Sequence, residues 1–165
     1  QYSTYNAKSE TMYELRTFSK AAKEARRCLI PVTGFFEWMQ VGKVKYPHYI
    51  HHSQNRIFHI GGLYENDTYT ILTTVANKRM AEIHNTKGRM PVIITEGHER
   101  DWLNPNLAQE DVLALCQPVA DGYLTDRTVS KLITSRGVYE CPRSVGASSL
   151  SGTGCTPRSS RDTVS

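Results

Sequence analysis

Between residues 28 and 76 the chain passes through five apolar or β-branched stretches, each short and each ended by turn-forming residues. They cover residues 28–32, 35–40, 46–51, 57–63 and 69–76, with Val41-Gly42-Lys43, Asn55 and Glu65-Asn66-Asp67 among the breaks. Connections this short suit neighbouring antiparallel strands, whereas parallel pairs need crossovers of about a dozen residues or more. The middle of the chain is therefore constrained to a largely antiparallel, barrel-like sheet.

Helical patterns flank that sheet. Thr11 and Glu14 form a T-x-x-E capping box, and Met12, Leu15, Phe18, Ala22 and Ala25 follow at roughly helical spacing. They predict a first helix from Thr11 onward. Residues 78–83 are expected to make one or two helical turns, 96–103 and 109–116 to form further helices, and 91–94 and 122–129 to form short strands. The fold class is thus α+β, with helices flanking the sheet. At 165 residues, 39% hydrophobic and 22% charged, the chain suits one domain with a sizeable core. From Val138 onward it is rich in Ser, Gly, Thr and Arg without apolar periodicity, and such a segment cannot bury enough surface to offset its ordering entropy. We expect a folded domain over 1–137 and a disordered or foreign tail over 138–165.

The net charge of +4 mildly favours an anionic partner. The tail carries Arg143, Arg158 and Arg161 against Glu140 and Asp162, so most of the excess falls on the folded part. No apolar run is long enough to span a membrane, and no basic-then-apolar leader opens the sequence. A cytoplasmic monomer is the expectation. Cys28 and Cys116 sit in apolar runs and read as buried thiols. No Cys or His pair has zinc-ligand spacing, and neither a metal nor a cofactor is expected. His51 and His52, adjacent on one strand, should face opposite ways and read as surface residues.

Gly34-Phe35-Phe36-Glu37-Trp38 places one carboxylate among three aromatic rings. Burial against rings would raise its pKa and make it a general acid or base near neutral pH. Taken alone, the stretch is better read as a strand-end Glu pointing into water. Two further segments change that balance: Asn6-Ala7-Lys8-Ser9-Glu10-Thr11, and Ile83-His84-Asn85 followed by Arg89-Met90-Pro91. In order and chemistry the three closely resemble the N-A-R-x-E-T, G-x-x-E-W and I-H-(D/N)…R-M-P motifs of the SOS-response-associated peptidase family. The resemblance covers about residues 6–135.

That resemblance implies a sensor of abasic sites in single-stranded DNA with a positively charged groove. Its nucleophile would be an N-terminal cysteine, exposed by self-removal of the initiator Met, whose amine and thiol close a thiazolidine on the sugar aldehyde. It further implies that Asn6 orients the cysteine and lesion, that Glu37 moves protons, and that His84 assists at the sugar. Lys8 (in place of the family's Arg), Thr73 on the groove strand, Arg89 and Trp38 would contact DNA, although Trp38 suits core packing better than base stacking. The sequence opens at Gln1, has no cysteine ahead of Asn6, and carries Thr86-Lys87-Gly88 between Asn85 and Arg89. The expectation is therefore a domain lacking its N-terminal part and its nucleophile. Two other readings are a non-catalytic single-stranded nucleic-acid-binding module and a Glu/His hydrolase acting on small substrates.

Overall fold

The computed structural model describes residues 6–134. The expectations for Gln1 and for the tail over 138–165 lie outside the described residues. Nine strands are described: β1 (Asn6–Lys8), β2 (Arg27–Val32), β3 (Gly34–Val41), β4 (Val44–His52), β5 (Phe58–Glu65), β6 (Thr68–Val75), β7 (Arg89–Pro91), β8 (Ile93–Ile94) and β9 (Leu124–Thr128). Four helices accompany them: α1 (Arg16–Lys23), α2 (Lys78–Ile83), α3 (Glu99–Leu103) and α4 (Gln109–Leu115). No helix among the described residues is long and apolar enough to cross a membrane.

The α+β class holds, but the sheet does not close into a barrel. One sheet runs β1-β6-β5-β2, with β7 on β6 and β8 on β5; a second runs β3-β4-β9. All pairings are antiparallel except β1 with β6, which the short Asn-Ala-Lys segment does not announce. The chain changes sheets between Val32 and Gly34, so consecutive strands β2 and β3 belong to different ladders.

Alternation along the larger sheet feeds two apolar clusters. Ile94 joins Leu63, Leu72, Trp102, Val112 and Cys116 beneath α1, α3 and α4. Its neighbour Ile93 joins Ile50, Phe58, Ile60, Met80, Ile83 and Met90, where both sheets and α2 meet. Trp102 is fully buried and donates its indole N–H to the Cys28 carbonyl at 2.9 Å. It approaches Gly61 so closely that a Cβ there would lie 3.0 Å from the ring.

The first helix begins later than the capping box suggests. Ser9–Thr11 forms a 3-10 turn, and α1 starts at Arg16 with Leu15 as its cap residue and no side-chain cap. The Thr11 hydroxyl is buried without a hydrogen-bond partner. At the other end Ala25 takes the left-handed conformation (φ 53°), and Arg26 N–H reaches back to the Ala21 carbonyl. Ala25 therefore terminates the helix instead of extending its apolar face. Two further expectations change. His52 is buried, its Nδ1 accepting from Gln54 N–H, and Cys28 is only half-buried.

A buried cation locks α3 to the sheet. The Arg27 guanidinium donates to the carbonyls of Trp102 (2.6 Å) and Asn104 (2.5 Å) and sits 5.8 Å from the Trp102 ring centroid. These carbonyls end α3, where the helix dipole favours positive charge. Arg27→Met would keep the packing but leave both carbonyls without that donor. We expect a loss of about 2–4 kcal/mol, read as a lower urea midpoint at unchanged slope.

Candidate active site

Glu37 and His84 meet at the free edge of β3. Glu37 lies mid-strand, with one carboxylate oxygen accepting the Trp38 backbone N–H at 3.1 Å. Its other oxygen faces His84 Nδ1 at 3.6 Å, beyond hydrogen-bond length. His84 caps the C-terminus of α2, and its N–H bonds the Met80 carbonyl at 2.7 Å. The helix itself starts at Asn77, whose side chain accepts from Met80 N–H and donates to the Val119 carbonyl.

The His84 tautomer follows from its partner. Nδ1 lies 2.9 Å from the Arg89 carbonyl, a group that can only accept, so Nδ1 carries the hydrogen. In the neutral ring Nε2 is then the basic nitrogen. Around the pair lies an open cleft of about 330 Å³, lined by Glu37, Trp38, Lys45, His84, Thr86 and Lys87. That size falls within the range of small-ligand sites, and its two lysines suit an anionic ligand.

The three rings flanking Glu37 do not enclose it. Phe35 turns into the core between the sheets, while Phe36 is 45% exposed and packs on Tyr49, with ring centroids 5.2 Å apart. Trp38 lies half-buried at the cleft, so it is not the core residue its type suggests; that place belongs to Trp102. The Glu37 side chain remains 23% exposed, with the His84 ring beside one of its oxygens.

Arg89 anchors the other side of the site. Its guanidinium makes a bidentate pair with Glu10 (2.6 and 2.8 Å) and also donates to the Thr73 carbonyl at 2.6 Å. Thr73 in turn donates its hydroxyl to the Ala7 carbonyl at 3.2 Å. Thr73 and Arg89 therefore staple β1, β6 and β7 together, and Arg89 is engaged rather than open to solvent. Lys8 is exposed on β1, opposite Thr73 in register. Asn6 is exposed on the same strand and makes no hydrogen bond to Glu37 or His84.

Two positioning residues escaped the sequence reading. Asn85 clamps the Gln40 backbone, accepting from its N–H at 3.1 Å and donating to its carbonyl at 2.8 Å. This fixes the loop after His84 against the strand that carries Glu37. Glu10 holds Arg89; its place within the first motif is the only signal that could have found it. The inserted Thr86-Lys87-Gly88 is accommodated by Gly88 at φ 57°, with Gly88 N–H bonded to the His84 carbonyl at 2.8 Å. Lys87 is thereby brought to the cleft.

An α+β domain with paired Glu and His on a basic cleft defines the class, and the comparisons name it. The chain belongs to the SOS response associated peptidase (SRAP) family, whose model matches residues 1–136. It is 37% identical over 145 residues to "Abasic site processing protein YoqW" of Bacillus subtilis, an overlap of 81% of this chain and 63% of that protein. It is 28% identical over 165 residues to "Abasic site processing protein HMCES" of Xenopus tropicalis, covering 82% of this chain and 48% of that one. A crystal structure of a Bacteroides thetaiotaomicron protein superposes with a TM-score of 0.73 at 32% identity, covering 77% of this chain and 59% of the other. The chain thus spans less than two thirds of the length of these relatives.

The Arg89 hydrogen bonds hold the Glu10 carboxyl below its ordinary range, against a smaller opposing effect of partial burial. A depressed carboxyl contributes stability that is present above its unfolded pKa of about 4.3 and is lost as pH falls through the lower folded value. Glu10→Gln should therefore flatten part of the acid limb of a stability-versus-pH curve below about pH 5, as followed by urea unfolding.

Proposed function

We propose that this domain processes abasic sites in single-stranded DNA, with Glu37 and His84 moving protons at the ring-opened sugar. The observation that carries the reading is the Glu37–His84 pair, 3.6 Å apart on a cleft that Lys45 and Lys87 also line. A gap slightly beyond hydrogen-bond length leaves both groups available to a ligand hydroxyl. The relatives' names and the family membership support the same substrate class.

The chemistry needs proton transfer at each step. An amine adds to the aldehyde, and the carbinolamine loses its hydroxyl as water once an acid protonates it, leaving an iminium. A thiolate then adds to the iminium carbon and closes a thiazolidine, one water having been released overall. Glu37 suits the acid that protonates the leaving hydroxyl, and neutral His84 Nε2 suits the sugar hydroxyl. Asn6 would orient the reacting amine, Lys8 would contact a phosphate, and Trp38 at the cleft would touch a base. Arg89 and Thr73 serve the groove by fixing its strands. In the whole protein an N-terminal cysteine would supply both amine and thiol, and Glu37 would also assist removal of the initiator Met.

Neither described cysteine fits the nucleophile's role. Both are internal and so have no free α-amine, and a thiazolidine needs both groups on one residue. Burial pushes the Cys116 thiol up to about 12 and raises that of Cys28, so both stay protonated at neutral pH.

The test uses a single-stranded oligonucleotide with one abasic site. This chain should bind it reversibly and yield no adduct that survives heat and denaturant; such an adduct would overturn the assignment. In a longer form carrying Met-Cys at its start, a heat-stable adduct should form, and Glu37→Gln should slow its formation or reversal by about a hundredfold. Unchanged rates in that variant would favour the non-catalytic binding module.

A further inference from the structure

The outer face of the three-stranded sheet carries a row of rings that the chemistry above does not use. Phe36, Tyr49 and Arg127 are register partners across β3, β4 and β9, so their side chains stand side by side on one face. The Phe36 and Tyr49 ring centroids are 5.2 Å apart, and Arg127 lies over the Tyr49 ring at 5.5 Å. One step along, His51 stacks on Tyr49 at 5.4 Å and 22°. Gly34 makes this possible: a Cβ there would lie 2.5 Å from both the Tyr49 ring and the Ile50 carbonyl. The glycine that opens the Gly-Phe-Phe-Glu-Trp motif is thus needed by the platform. Phe36 and Arg127 are exposed. Trp38 and Lys45, two residues from Phe36 on β3 and four from Tyr49 on β4, continue the row to the cleft.

We propose that this face is a base-stacking platform for the single strand on one side of the lesion. The proposal rests on the single-stranded partner inferred above and adds a location for its flanking bases. An exposed ring set on further rings and beside cations matches a ligand that presents both bases and phosphates. An apolar protein partner would be poorly served by a face whose central ring is covered by an exposed guanidinium. Arg127 takes a phosphate or a second base plane, while Phe36 offers a face of no hydrogen-bonding preference, so binding here tolerates sequence.

The full chain is titrated with two fluorescein-labelled probes of equal length: oligo-dT, and a base-free strand of tetrahydrofuran phosphates. Phe36→Ala and Arg127→Gln should each weaken oligo-dT binding by roughly tenfold. Phe36→Ala should leave base-free binding within about twofold, since only stacking is lost. Phe36→Leu keeps apolar surface but lacks a π-face, and should behave like Phe36→Ala even if the latter folds poorly. Full oligo-dT affinity in Phe36→Leu and Arg127→Gln would overturn the platform, as would equal affinity of the parent chain for both probes. Neither probe contains a reactive aldehyde, so failure here leaves the Glu37 and His84 chemistry standing. Conversely, loss of the adduct chemistry leaves this result untouched.

Discussion

The guanidinium of Arg89 is shared between the Glu10 carboxylate and the Thr73 carbonyl, while its own backbone carbonyl receives the His84 Nδ1 hydrogen. One residue thereby joins the segment after β1, the strand β6 and the start of β7 to His84. Removing Glu10 would leave a half-buried cation, and moving β7 would release the imidazole. The geometry of His84 is therefore inherited from an ion pair on the far side of Arg89. This is how a motif at residues 6–11 becomes coupled to one at residues 83–91 without direct contact between Asn6 and His84.

The second constraint is the free edge of β3. In a closed barrel that edge would pair with another strand. Here the Gln40 N–H and carbonyl are instead taken by the Asn85 side chain, which mimics a strand partner at one position only. Among the described residues the remainder of the edge has no strand partner, and Glu37 lines the cleft there. Failure to close the barrel and exposure of the site are thus one structural fact. The cost of an open edge is limited because α2 packs beside it, with Met80 and Ile83 buried between the sheets.

Much of this was legible in the sequence because local periodicity and short turns decide strand pairing. The hairpins β3–β4 and β5–β6 follow from Gly42 and from Asn66-Asp67, and their strands fall within a residue or two of the expected bounds. What was not legible depends on contacts distant in the chain. The parallel pairing of β1 rests on Thr73 and Arg89, residues remote from Asn6. Helix α1 starts at Arg16 because Ser9–Thr11 turns Met12 into the core, where it is fully buried, ahead of the helix. His52 is buried because Tyr123 packs edge-on against it, a contact no adjacent residue predicts. For the site, the structure brings together Glu37 and His84 from two of the three motifs, 3.6 Å apart. The motifs did not show that Trp38 lies at the cleft while Phe35 packs in the core and Phe36 lies exposed.

That placement of the rings changes the physical account of Glu37. A carboxylate enclosed by rings would owe its proton chemistry to desolvation. Glu37 instead has one oxygen fixed by the Trp38 N–H and the other turned toward an imidazole whose Nδ1 is committed to a carbonyl. The committed Nδ1 prevents the two side chains from satisfying each other completely. Each retains one unclaimed acceptor, a carboxylate oxygen and Nε2, and both residues line the same cleft. In these states each is an acceptor for the hydrogen of a hydroxyl bound there. The proposed proton chemistry thus rests on what the hydrogen bonds leave unsatisfied, more than on how deeply the carboxylate is buried.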